Sequence, residues 1–130
     1  MTLEKQTQTR FRYRKYYEES VGTKIDKDYE IHHLDFNRHN NYIINLVALP
    51  KDLHRKYHNT LASANRNFAH LTLYNDIYSE VCSWGVPASV GYQRWLLNRI
   101  REEINVIEEC EREIVKYINI RNNLIQTSND

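Results

Sequence analysis

Six histidines occur in the chain, and four of them, His32, His33, His54 and His58, fall in one window of fewer than thirty residues that also holds Asn45. Imidazole is the commonest transition-metal ligand and the side chain whose charge changes near neutral pH. Two histidines at i and i+4 on a helix share a face and can grip one cation. A third from a facing strand gives three protein ligands and leaves a position open for water or substrate. Adjacent strand residues point to opposite faces, so His32 and His33 should not both bind one ion. The economical assignment gives His32, His54 and His58 to the metal and leaves His33 beside it as a neutral imidazole able to take a proton from water. A cation there would stabilise charge on a phosphate and on its departing oxygen, so the constellation suits cleavage of a phosphodiester.

The surrounding elements must supply those directions. Tyr29-Glu30-Ile31-His32-His33 reads as a short strand, DFNRHNN as a loop of residues that hydrogen-bond locally, and Asn45–Leu49 as a second strand. Pro50 ends that strand and suits a helix start, and KDLHRKYHNTLASANRNF continues as helix with His54 and His58 on one face. Upstream, Arg10, Arg12, Arg14 and Lys15 alternate with Phe11, Tyr13, Tyr16 and Tyr17; this period-two pattern reads as a strand or extended arm, with helix the other option. Residues 1–9 lack periodicity and are expected to be frayed. A further helical segment runs from about Asn65 to Cys82 and stops at Trp84-Gly85-Val86-Pro87. A long helix from about Ser89 to Ile125 then carries Leu97, Ile100, Ile104, Ile107, Ile114, Ile118 and Ile125 in a stripe of the coiled-coil kind. Glu111 and Arg121 interrupt that stripe, so the helix is expected to pack on its own domain for part of its length and on a partner for the rest. A homodimer through this helix is the expected form of that partnership.

At 130 residues the chain fits a single domain, with a basic arm and site-bearing core over 10–60 and a helical extension over 61–130. The formal charge of +1 hides an asymmetry: residues 1–60 hold eleven Lys/Arg against eight Asp/Glu, and residues 61–130 hold seven against nine. The basic surplus accompanies the histidines, as a polyanionic partner would want. Cys82 and Cys110 are distant, and without a CxxC pair neither a disulfide scaffold nor a cysteine-ligated zinc knuckle is indicated. No stretch resembles a signal sequence or approaches the ~20 apolar residues of a membrane span, so cytoplasmic residence is the expectation.

The segment IHHLDFNRHNNYIINLVALPKDLHRKYH resembles the ββα-metal motif of the HNH endonucleases, in its His-His pair, its loop Asn-Asn, the Asn-Leu entering the second strand and the paired helix histidines. Its intervals of twelve residues from His33 to Asn45 and nine from Asn45 to His54, then His54-x-x-x-His58, resemble the metal end of the colicin-type members; the Asp-x-Asn loop is more similar to phage and homing-type ones. The resemblance covers residues 29–58. It implies an α+β fold, mostly helical, with the ββα unit packed against two C-terminal helical segments, the last one long. It implies a metal-dependent endonuclease acting on DNA, in which His33 matches the general base, Asn45 the amide bracing the loop, and His54, with His32 and His58, the metal ligands. Products with 5′-phosphate and 3′-hydroxyl ends are implied as well. Many members carry an acidic ligand where His32 stands, and the structural zinc held by cysteines is absent. Three imidazole nitrogens suit one divalent ion of the Zn²⁺, Mn²⁺, Ni²⁺ or Co²⁺ kind better than Mg²⁺.

Other residues admit two readings. Asp35 either orients a histidine from behind or, the preferred reading, caps a turn; Asn41 is the better of the loop asparagines to tie the loop. Arg10, Arg12, Arg14 and Lys15 would form a phosphate-binding arm, or else face solvent while the tyrosines anchor the arm. Arg38, His39, Lys51, Arg55 and Lys56 lie where a polyanion would cross the site. His70 and Trp95 default to packing. The alternative to the enzyme is a non-catalytic, zinc-stabilised DNA-binding or protein-interaction module, for which an unligated His33 has no use. A nuclease toxin domain held inactive by a partner is a third reading.

Overall fold

The computed structural model describes residues 12–83 and 91–129. Among these residues, three helices and one two-stranded sheet follow in the order α1 (Tyr13–Val21), β1 (Tyr29–His33), a 3-10 turn (Ile43–Asn45), β2 (Leu46–Pro50), α2 (Lys51–Ser83) and α3 (Gly91–Asn129). This is the expected mostly helical α+β class, with strand, loop, strand and helix in sequence. The chain divides into two compact units, one of Met1–His54 with Ile114–Asp130, the other of Arg55–Glu113.

In the first unit β1 and β2 pair antiparallel, with Ile31 opposite Ala48, His32 opposite Val47 and His33 opposite Leu46. Directly opposed residues share a face, so Ile31, His33, Leu46 and Ala48 line one side and Glu30, His32, Val47 and Leu49 the other. Leu46, Val47, Ala48 and Leu49 are all buried, which explains why β2 is a continuous apolar run rather than an alternating one. The core on the first side gathers Tyr17, Val21, Ile31, Leu46 and Ala48, with Leu124 and Ile125 of α3 packed against them.

The arm over 13–21 is a helix, not a strand. Tyr17 and Val21, four residues apart, are buried together, and that spacing prevails over the alternation of basic and aromatic residues. Gly22 ends it in the left-handed conformation (φ 78°), its N–H donating to the Glu18 carbonyl at 2.9 Å; a Cβ there would collide with the Ser128 side chain. Arg10 and residues 1–9 lie outside the described residues, as does the expected helix stop at 84–87. Asn45 belongs to the 3-10 turn, one residue before β2 begins, and Pro50 is the last strand residue rather than the first helical one. The two helical segments read over 51–68 and 65–82 are one helix, and the last helix runs on to Asn129.

The two stripe interruptions have different explanations. Arg121 is buried, and its guanidinium donates to the carbonyls of Ile43, Ile44 and Leu46. Glu111 is exposed and accepts a 3.0 Å bond from the Tyr57 hydroxyl. In that second unit the pairs Tyr57–Glu111, Asn67–Glu103 and Gln93–Asn75 set residues 55–83 antiparallel to 91–113. Among the described residues no helix is long and apolar enough to cross a membrane.

Candidate metal centre and base

Sheet pleating separates the two adjacent histidines. His32, 2% exposed, shares a face with Glu30 and meets the His54 ring edge-on, centroids 5.2 Å apart. One helical turn beyond His54 comes His58. One ring nitrogen each from His32, His54 and His58 lies within 4.8 Å of the other two. These donors fit a divalent transition metal by type, three imidazoles graded from buried to exposed, with the exposed end at His58.

Glu30 completes this side. Its carboxylate accepts from His54 Nδ1 at 3.2 Å, which fixes the ring's tautomer and leaves Nε2 with the lone pair that a cation takes. Sequence reasoning passed over Glu30, although its period-two relation to His32 already put both on one strand face. It also passed over Phe36, a half-exposed residue with φ 63° whose ring stands edge-on to His32 at 5.4 Å. A left-handed backbone at a bulky residue leaves no signal in composition.

On the other face His33, also buried, donates from Nε2 to Asn41 Oδ1 at 2.9 Å and meets the Tyr13 ring edge-on at 5.2 Å. An amide oxygen only accepts, so the proton sits on Nε2 and the lone pair on Nδ1. The hydrogen bonds of Asn45 go to the loop, not to the His33 ring. The Asn45 side chain accepts from the Asp35 N–H at 3.0 Å and donates to Asp35 Oδ1 and to the Asn40 carbonyl, each at 2.8 Å, while its own carbonyl accepts from the Leu34 N–H. Both ends of the loop are thereby stapled together. Asp35 is the staple's other half: it also accepts from the Asn37 N–H and from Asn40 Nδ2, and these bonds, that from Asn40 foremost, hold its carboxyl below the usual aspartate range. It caps the loop and orients Asn45; no histidine is among these partners.

The basic residues divide. Arg12, Lys15, Arg38, Arg55 and Lys56 are exposed and Lys51 is half-buried. Arg14 instead spends its guanidinium on the carbonyls of Tyr29, Ile25 and Asp26, at 2.6, 3.2 and 2.6 Å, so it ties down the approach to β1.

Residues 12–56 match the family model of the HNH endonucleases. The matched stretch thus takes in α1, both strands, the loop and the start of α2, with His32, His33, Asn45 and His54 inside it and His58 two residues beyond. Neither a curated protein nor a solved structure matches the chain. Among the described residues, His32, His54 and His58 form a group that could hold a metal ion.

Proposed function

We propose that the protein is a metal-dependent DNA endonuclease in which His33 is the general base and His32, His54 and His58 hold a single divalent ion. The observation that carries this reading is His33 itself: an imidazole on the sheet face opposite the triad, with one nitrogen tied to Asn41 and the other bearing a lone pair. A structural metal site has no need of such a group. His33 Nδ1 takes a proton from water as the water oxygen attacks phosphorus, and the bond to the 3′ oxygen breaks; that oxygen takes up a proton from solvent, giving 5′-phosphate and 3′-hydroxyl ends. A bound divalent ion supplies Lewis-acid stabilisation of the charge on the phosphate and on the departing oxygen. Glu30 keeps His54 oriented for that ion, Asn41 keeps His33 in its tautomer, and the Asp35–Asn45 staple keeps Asn41's loop in place. Three imidazoles favour Zn²⁺, Mn²⁺, Ni²⁺ or Co²⁺ over Mg²⁺. The exposed Arg12, Lys15, Arg38 and Arg55 would meet backbone phosphates, with Lys51 beside them. A second copy of the chain is the proposed partner of α3, on which Leu97 and Ile104 are exposed seven residues apart.

Supercoiled plasmid incubated with the protein and each metal in turn tests the reading. His33→Ala is expected to abolish nicking while metal binding by calorimetry is retained, and His54→Ala to lose both. Equal cleavage by wild type and His33→Ala would refute the mechanism.

A further inference from the structure

We propose that Arg121 is a positioning residue for the nuclease site, holding from α3 the turn that carries Asn45 and, through it, the loop that orients His33. The proposal rests on the reading of His33 as base. Arg121 lies 65 positions beyond the end of the matched stretch, yet it is 5% exposed and bonded into the heart of it. Its Nη1 donates to the carbonyls of Ile43 (3.3 Å), Ile44 (2.8 Å) and Leu46 (2.9 Å), the residues flanking Asn45 on both sides. Its Nε and Nη2 both donate to Asn122 Oδ1, at 3.2 and 2.9 Å, which fixes the plane of the guanidinium.

The chemistry explains why this position in an apolar stripe carries an arginine. A single 3-10 turn ends with carbonyls that lack partners within the helix, and burying them unserved is costly. The Ile43 carbonyl also accepts from the Leu46 N–H, but an apolar side chain would take the guanidinium donor away from the Ile44 and Leu46 carbonyls, whereas the planar, always-charged fork serves them while staying anchored by Asn122. The constraint then propagates by named bonds. Arg121 fixes the backbone on either side of Asn45; the Asn45 amide and carbonyl close the loop on Asp35, Asn40 and Leu34; Asn41 within that loop holds His33 Nε2. None of these bonds involves His32, His54 or His58, so loosening Arg121 should disturb the base and spare the metal.

The test uses the full chain and two variants. Arg121→Lys keeps a cation but loses the fork, and Asn122→Ala frees the guanidinium plane without unserving a carbonyl, so it reports even if the first variant fails to fold. Misplacing a reacting group by about 1 Å costs up to roughly a hundredfold in rate, so kcat on a short duplex should fall about tenfold or more in Arg121→Lys and less in Asn122→Ala, with KM and calorimetric metal affinity unchanged. Solvent exchange of the Asn45 side-chain amide protons, followed by NMR, should speed up in both. Combined with Asn45→Ala, either variant should add little further loss of kcat, because the two act through one linkage. Protected Asn45 protons in the variants, or losses that simply multiply with that of Asn45→Ala, would overturn the proposal. A wild-type protein that cuts no nucleic acid would defeat the nuclease reading instead, leaving the exchange measurement to judge Arg121.

Discussion

His32 and His33 differ by one position in sequence and by a whole sheet face in space, and that difference divides the proposed metal ligand from the proposed base. Neighbouring side chains hold two of the imidazoles: Asn41 sets the tautomer of His33, and Glu30 sets that of His54. The contact of Glu30 with a ligand rather than with metal predicts a graded effect. Removing such an outer carboxylate typically weakens metal binding roughly 10- to 100-fold, so Glu30→Ala should loosen the ion by about that factor in a calorimetric titration with the fold intact. Unchanged affinity would mean that the 3.2 Å contact does not serve the metal. The histidine cluster was legible in the sequence because histidine spacing is a local property. Glu30 was less so, since a glutamate in a strand is usually just a solvated group, and only the approach of His54 from twenty-four residues away gives it a task.

Among the elements, the loop between the strands does the most with the least. It has no repeating hydrogen bonds and is held by the Asp35–Asn45 staple, with Asn40 bonded to both. Because these bonds favour the carboxylate form, the folded pKa of Asp35 lies below its ordinary value of 3.8. The sign follows from proton linkage: the contribution to stability is fully present above pH 3.8 and is lost as pH falls through the lowered value, where the folded state must take up the proton. Asp35→Asn should therefore flatten the acid limb of the melting-temperature profile below pH 3.8; an acid limb identical to wild type would show that other carboxylates govern it. The helix over 13–21 teaches a different lesson about elements. Alternating Arg-Phe-Arg-Tyr-Arg suggests a strand, but Tyr17 and Val21 find a core only at helical spacing, and burial outweighs local pattern.

At the scale of the molecule, each compact unit has its own polar ties. In the unit of Arg55–Glu113, Tyr57 is buried with its hydroxyl on Glu111, and burial foremost, with that carboxylate's bond and charge, pushes its pKa up to about 12. A raised pKa favours the protonated folded form, so this contribution is whole below pH 10 and is lost as pH rises from 10 towards 12. Tyr57→Phe should lower the melting temperature at neutral pH and make the profile flatter than wild type between pH 10 and 12. A parallel alkaline decline in both proteins would remove Tyr57 as its cause. Glu111 is thus an interruption with a local partner.

The sequence by itself determined the candidate site residues, the strand–loop–strand–helix order and the opposite facing of His32 and His33, because each depends on composition, on local turn preference or on the two-residue and 3.6-residue periods. Tertiary structure decided the rest. That Arg121 closes on Ile43, Ile44 and Leu46, that Arg14 serves backbone carbonyls instead of facing outward, and that Glu30 meets His54 are contacts between residues 11 to 78 positions apart. No local rule encodes such meetings. They arise because a buried polar group must find its partner wherever the packed chain brings one within reach.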